Sequence, residues 1–205
     1  LSNKPTQRQI EGFVSYEDVV KVRDSLPDGS SEKLLLGLYT YIPPCRSDFH
    51  DTHILSDEPK EPYEYNAIVL KSNRATLYLK KYKTAKTHGM NVKELPEPLV
   101  RQLQLSLQKN PRKHLFVSSR ANKPYAELAQ PERRFNAWAN TVLKKLFNEN
   151  ISLTMLRHAY ISRRDLELET KSGSERKQIA SDMGHSVEQQ SKYLWHSWLR
   201  EAPPS

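Results

Sequence analysis

The sequence predicts a mainly α-helical domain that carries a small antiparallel β-sheet near its start, an α+β arrangement. Three observations lead there. Apolar residues recur at helical spacing beyond Pro96, as with Phe135, Trp138, Val142 and Leu146 in "PERRFNAWANTVLKKLFNEN". Strand-like runs, "YNAIVL", "ATLYLKKY" and the shorter "MNVKEL", cluster between residues 65 and 95. No apolar run approaches the roughly 20 residues that a membrane-spanning helix needs.

Taken in order, "LSNKPTQRQIEGF" is polar and reads as an exposed lead-in of residues 1–14, with no secretory pattern. "SYEDVVKVRDSL" opens on Ser15 with Asp18 three positions later, a start resembling a capping box. Pro27-Asp28-Gly29 ends that helix. "SEKLLLGLYTYI" is a second, strongly apolar helix, stopped by Pro43-Pro44. A polar, proline-containing loop follows from about residue 47 to 64. The last two strand-like runs are separated by a stretch containing "THG" and are expected to form a hairpin. "PEPLVRQLQLSLQKN" has proline in its first turn, as helices allow. "HLFVSS" is a short strand, and "ISLTMLRHAYISRRDLELE", "SERKQIASDMG" and "SVEQQSKYLWHSWL" are further helices. There is no internal repeat. Residues 15–199 form one domain, and residues 200–205 a polar tail.

Charge narrows the function. The chain has 32 Lys and Arg against 24 Asp and Glu, a net +8 that favours a polyanionic partner. Residues 71–93 hold seven basic residues and no acid, whereas residues 48–64 hold six acids and only Lys60. One cysteine, Cys45, excludes an intrachain disulfide framework and a cysteine-based zinc site. It fits an intracellular, reducing compartment: the nucleus in a eukaryote, the cytoplasm otherwise.

"LTMLRHAYIS" sets Arg157 and His158 side by side in an apolar helical pattern. Burying a charge there is costly unless it is paired. Three other stretches share this chemistry-bearing character: "YIPPCRSDF", "KKYKTAKTHG" and "MGHSVEQQSKYLW". In order they supply an arginine, a lysine on a hairpin, Arg-His, Gly-His, and a tyrosine. This order resembles the catalytic domain of tyrosine recombinases, the phage-integrase-like DNA strand-exchange enzymes, from about Ser15 to Trp198. "PPCRSDF" and "YKTAKTHG" are similar to the mobile-element and large-DNA-virus branch.

The resemblance implies phosphodiester transesterification. A tyrosine hydroxyl attacks a DNA phosphate to give a 3′-phosphotyrosine intermediate. Two arginines grip the non-bridging oxygens, on which negative charge builds up. A lysine protonates the departing 5′ oxygen. No cofactor is required, and no metal, since the arginines clamp the charge. No carboxylate cluster has metal-site spacing.

By resemblance, Arg46 is the first catalytic arginine, presented by the turn after "PPC". Family members commonly have an acid three positions later; here that place is Phe49, and Asp48 is the candidate support. Lys83 and Lys86 both stand near the hairpin. Lys83, at the strand's end, fits the family's general acid better, but Lys86 stays open. Lys80, Lys81, Lys83 and Lys86 are expected to contact DNA phosphates. Arg157 is the second arginine of a His-x-x-Arg pattern, in which this chain has Thr154 in place of histidine. His158 is more structural than catalytic, bracing the helix by a hydrogen bond. His185 follows Gly184 and is directed at the phosphate. Tyr193, eight residues after His185 where the family gap is nearer nine, is the nucleophile, and it fits better than Tyr160.

The resemblance further implies double-stranded DNA as partner, assembly as a homotetramer on DNA, and no membrane partner. Family members carry an N-terminal helical clamp domain, absent before Ser15, so the chain reads as a fragment. Two other readings stay open: a catalytically inactive DNA-binding descendant, suggested by Thr154, and a type IB topoisomerase-like enzyme.

Overall fold

Side-chain caps start the first three helices. The computed structural model describes residues 4–44, 47–81 and 89–168, and residues 174 and 178. Helix α1 (Gln7–Gly12) begins at Thr6 with a reciprocal box: the Gln9 N–H donates to Thr6 Oγ1, and the Thr6 N–H donates to Gln9 Oε1 at 2.8 Å. The expected lead-in is therefore a helix. Gly12 explains why it docks. A Cβ there would lie 2.6 Å from the Asn150 carbonyl carbon, so only glycine lets the two backbones meet.

Helix α2 (Tyr16–Ser25) is capped by Ser15, whose Oγ accepts from the Asp18 N–H, as the sequence predicts. Helix α3 (Ser31–Leu38) is capped in the same way by Ser30. Between them Gly29, at φ +76°, turns the chain and donates its N–H to Gln102 Oε1. Leu34, Leu35, Leu36 and Leu38 are all buried, so α3 is covered on every side. It ends at Leu38, five residues before Pro43 and earlier than the sequence suggests. The Tyr39 N–H bonds Leu36 O, which tightens the last turn, and the Thr40 hydroxyl donates to Leu36 O at 2.6 Å.

The sheet has four strands in the order β1-β2-β3-β4: β1 (Thr52–Leu55), β2 (Asn66–Lys71), β3 (Arg74–Leu79) and β4 (Asn91–Glu94). β2, β3 and β4 run antiparallel, and β3 pairs β4 from Thr76↔Glu94 to Leu79↔Asn91, as the expected hairpin requires. β1 lies within the stretch read as loop and pairs parallel to β2, Thr52 against Asn66. Its four residues are too short for period-two alternation to show, and its partner lies beyond an irregular connection. Along β3, Ala75, Leu77 and Leu79 point into the core.

Helix α4 (Glu97–Lys109) packs on α3 through Leu99, Val100 and Leu103. A small hairpin of β5 (Val117–Ser118) and β6 (Lys123–Pro124) leads into α5 (Pro131–Leu146) and then α6 (Leu153–Leu168). In α5, Phe135, Ala139, Val142 and Leu143 are buried; Trp138 and Leu146, expected beside Phe135 and Val142, pack at the margin. One core runs through the layers, from Leu34–Leu38 and Phe49 to Leu77, Leu103, Leu115, Phe135 and Leu156. Among the described residues, no helix is long and apolar enough to cross a membrane.

Gly12→Ala should cost about 1–3 kcal/mol, because the added methyl meets backbone rather than a side chain that can move. Urea unfolding should show it as a lower midpoint at unchanged slope.

Candidate functional site

Helix α6 carries the residues of interest and is held at several points. At its start the Leu153 N–H donates to Asn140 Oδ1 of α5 at 3.1 Å. Further along, Tyr160 meets Tyr16 of α2 edge-on, ring centroids 6.0 Å apart, and Arg163 pairs with Glu17. Leu153, Met155, Leu156, Ala159 and Ile161 are buried around it. Within this apolar frame Arg157 is only 4% exposed and His158 only 3%. Tyr160 is packed into the fold by its ring contact. Thr154, three positions before Arg157, is exposed and lines a cavity of about 260 Å³ at the start of α6.

The approach to Arg46 is built from buried polar contacts. Thr40 is buried; its carbonyl accepts from the Tyr16 hydroxyl at 2.7 Å, and its Oγ1 accepts from Arg23 Nη1 at 2.9 Å. The Arg23 guanidinium also lies 3.8 Å over the Tyr41 ring. Ile42 and Pro44 are buried next. A 3₁₀ turn, Ser47–Asp51, follows position 46 and is anchored by Phe49, fully buried and edge-on to Tyr39 at 5.9 Å. That accounts for the departure at Phe49: the position three after Arg46 is a core position here. Asp48 lies on the same turn, and its side chain is outside the described residues. Arg46, Lys83, Lys86, His185 and Tyr193 also lie outside them.

The basic end of β3 differs from its appearance in sequence. Lys80 Nζ contacts both oxygens of Glu61, at 2.7 and 2.5 Å, and sits 4.0 Å over the Tyr63 ring. The Glu61 carboxylate holds the Lys80 ammonium above its ordinary range. Lys81 Nζ reaches Asp51 Oδ2 at 2.8 Å, and Asp51 Oδ1 faces His53 Nε2 at 3.3 Å. Below them buried Asn66 accepts from the Lys80 and Lys81 N–H groups and donates to Lys81 O. Lys71 pairs with Asp57 at 3.7 Å and Arg74 with Glu94 at 2.6 Å. The acidic stretch thus folds against the basic one, so segregation along the chain is not segregation in space. Asp51 was not singled out in the sequence, because its link to Lys81 spans 30 positions.

His53 stacks on Tyr65 at 3.8 Å and faces His114 at 4.5 Å. Burial, then the neighbouring His53, pushes His114 below the ordinary histidine range; Glu127 and Asp51 oppose this weakly. Among the described residues, no group of three His, Cys, Asp or Glu side chains is placed to hold a metal ion.

A crystal structure described as XerA recombinase is similar to this chain. It matches the whole chain with a TM-score of 0.56 at 17% sequence identity, and this chain covers 66% of its length, just under two thirds. At that identity the likeness shows the fold, the tyrosine-recombinase-like arrangement of helices around a small sheet. No family model matches the chain. No curated protein matches it in sequence.

Thr40→Val should destabilise by about 1–3 kcal/mol, because it leaves a buried Arg23 N–H without its acceptor. Thermal unfolding would show the loss, and Thr40→Ser should recover most of it. His114 sets a pH dependence of known sign. The folded state disfavours its protonated form, so stability is full at about pH 7 and falls as pH drops through the ordinary histidine value toward the lowered one. The decline in urea midpoint between about pH 7 and 5 should be shallower in His114→Gln.

Proposed function

We propose that the chain is the catalytic domain of a tyrosine recombinase, an integrase of the mobile-element or large-virus type acting on double-stranded DNA. The observation that carries this reading is Arg157. It is a buried guanidinium on a helix tied to both α2 and α5, in a chain with the recombinase-like fold. A charge buried so deeply in a soluble domain fits a site that stabilises an anion. The braced turn after Thr40, which leads the chain into Arg46, supports the same reading.

In this mechanism the Tyr193 oxygen forms a bond to phosphorus as the bond to the 5′ oxygen breaks. The phenolic proton leaves to water, and Lys83 gives a proton to the 5′ oxygen, with Lys86 as the other candidate. Arg46, Arg157 and His185 bear on the non-bridging oxygens as charge accumulates there. Rejoining is the reverse, with a 5′ hydroxyl attacking the phosphotyrosine. Asp48 supports the first arginine, and buried His158 braces α6. Because synapsis needs two duplexes, the working form is a tetramer on DNA. A nuclear or cytoplasmic location goes with that substrate.

A nicked suicide duplex tests this. Wild-type protein should trap a covalent adduct, and Tyr193→Phe should abolish it. Arg157→Lys, which keeps the charge but loses the planar fork, should slow adduct formation about 10²- to 10³-fold with DNA affinity nearly unchanged. Tight binding with no adduct under any condition would establish an inactive DNA-binding descendant instead. Relaxation of supercoils without site preference would establish a topoisomerase-like enzyme.

A further inference from the structure

The cavity beside Thr154 is lined by two cations from separate parts of the chain, Arg8 of α1 and Lys144 of α5. Asn140, Asn150, Ser152 and Thr154 add amide and hydroxyl groups, and among the described residues no carboxylate lines it. Both cations are exposed, and neither forms an ion pair with a described residue. This sets them apart from Lys71, Arg74, Lys80 and Lys81, each of which already faces a carboxylate. Ile151 and Met155 complete the lining. Positive charge in a concave setting, with no carboxylate partner among the described residues, is available to an anionic ligand at the least cost.

The placement is held by the fold. Gly12 lets α1 approach the Asn150 backbone, Asn148 Nδ2 donates to Gly12 O at 3.4 Å, and Arg8 lies one helical turn earlier. Lys144 lies four residues after Asn140, whose side chain caps the start of α6. Thr154 precedes Arg157 by three residues, about 4.5 Å of helical rise. Successive phosphates on one DNA strand are spaced about 3.4 Å along the helix axis.

We infer that this cleft is a second phosphate-binding site, in which Arg8 and Lys144 hold a backbone phosphodiester of the DNA strand whose neighbouring phosphate lies at Arg157. Arg8 thereby puts positive charge next to the position where the resemblance leads one to expect a histidine and this chain has Thr154. The phosphate chemistry follows from the cleft itself; DNA as its source rests on the reading above.

The test compares two double variants for binding to one duplex over a series of salt concentrations. Arg8→Gln/Lys144→Gln removes the two unopposed cations, and Lys71→Gln/Arg74→Gln removes two that are already paired. The cleft variant should weaken binding about tenfold per residue at about 0.05 M salt and lower the slope of log K against log salt by about 2. The paired-cation variant should change both far less. Equal losses in the two variants would mean that only total charge matters and would overturn the proposal, as would an unchanged slope in the cleft variant. Thr154→Glu, which adds an opposing charge at an exposed position, should act in the same direction; if it does not, the cleft is not on the DNA path. Inorganic phosphate distinguishes the sources. If it alone protects the wild-type melting temperature through Arg8 and Lys144 while duplex affinity is insensitive to both, the cleft holds free phosphate and the DNA assignment falls. The suicide duplex separates this outcome from the recombinase reading. Adduct formation with an unchanged slope defeats only the cleft, and a lowered slope with no adduct defeats only the recombinase.

Discussion

Thr40 is the junction on which the placement of the site depends. Its carbonyl, its hydroxyl oxygen and its hydroxyl proton each make a bond, to α2 through Tyr16, to α2 again through Arg23, and back to α3 through Leu36. None of the three groups is left unsatisfied at a position only 3% exposed. The consequences run in two directions. Tyr16, bonded to Thr40, is also the ring against which Tyr160 packs, so the helix bearing Arg157 takes its bearing from the same point. The chain leaving Thr40 goes through Ile42, Pro43 and Pro44 toward Arg46. The two arginines of the proposed clamp belong to segments more than 100 residues apart, and a shared buried junction is a direct way of relating them.

The sheet serves the site in another way. β1 joins β2 in parallel and brings the acidic stretch with it, so that Asp51 meets Lys81 and Glu61 meets Lys80. Such exposed pairs add little to stability. Their effect is on position: the Asn66 side chain bonds the backbone of both lysines, and the carboxylates hold the side chains above it. The end of β3, which leads into Lys83 and Lys86, is thereby fixed up to Lys81. In the proposed mechanism this strand end delivers a proton donor to a defined atom, a task that preorganisation favours.

Helix α1 changes the setting of Thr154. Read alone, threonine in the histidine position suggests a weakened site. In the fold the same residue borders a cavity to which Arg8 and Lys144 contribute. The electrostatic character of a position is set by everything that converges on it, and here one contributor comes from the other end of the chain.

What the sequence determined by itself was largely local. The helix start at Ser15, the apolar helix beginning at Ser31, the strand runs "YNAIVL" and "ATLYLKKY", and the mainly helical second half follow from capping and periodicity within a few residues. The order of the chemistry-bearing stretches also lay in the sequence, and it pointed to the fold that the likeness to a recombinase structure then showed. Tertiary structure alone decided the rest, because those features depend on residues far apart in the chain. β1 is a strand only by pairing with β2, α1 docks only because Gly12 meets Asn150, and Phe49 is a core residue only because Tyr39 and elements distant in sequence close around it. Whether a lysine is free or paired is likewise invisible until the chain folds, since Coulomb attraction acts through space and takes no account of sequence distance.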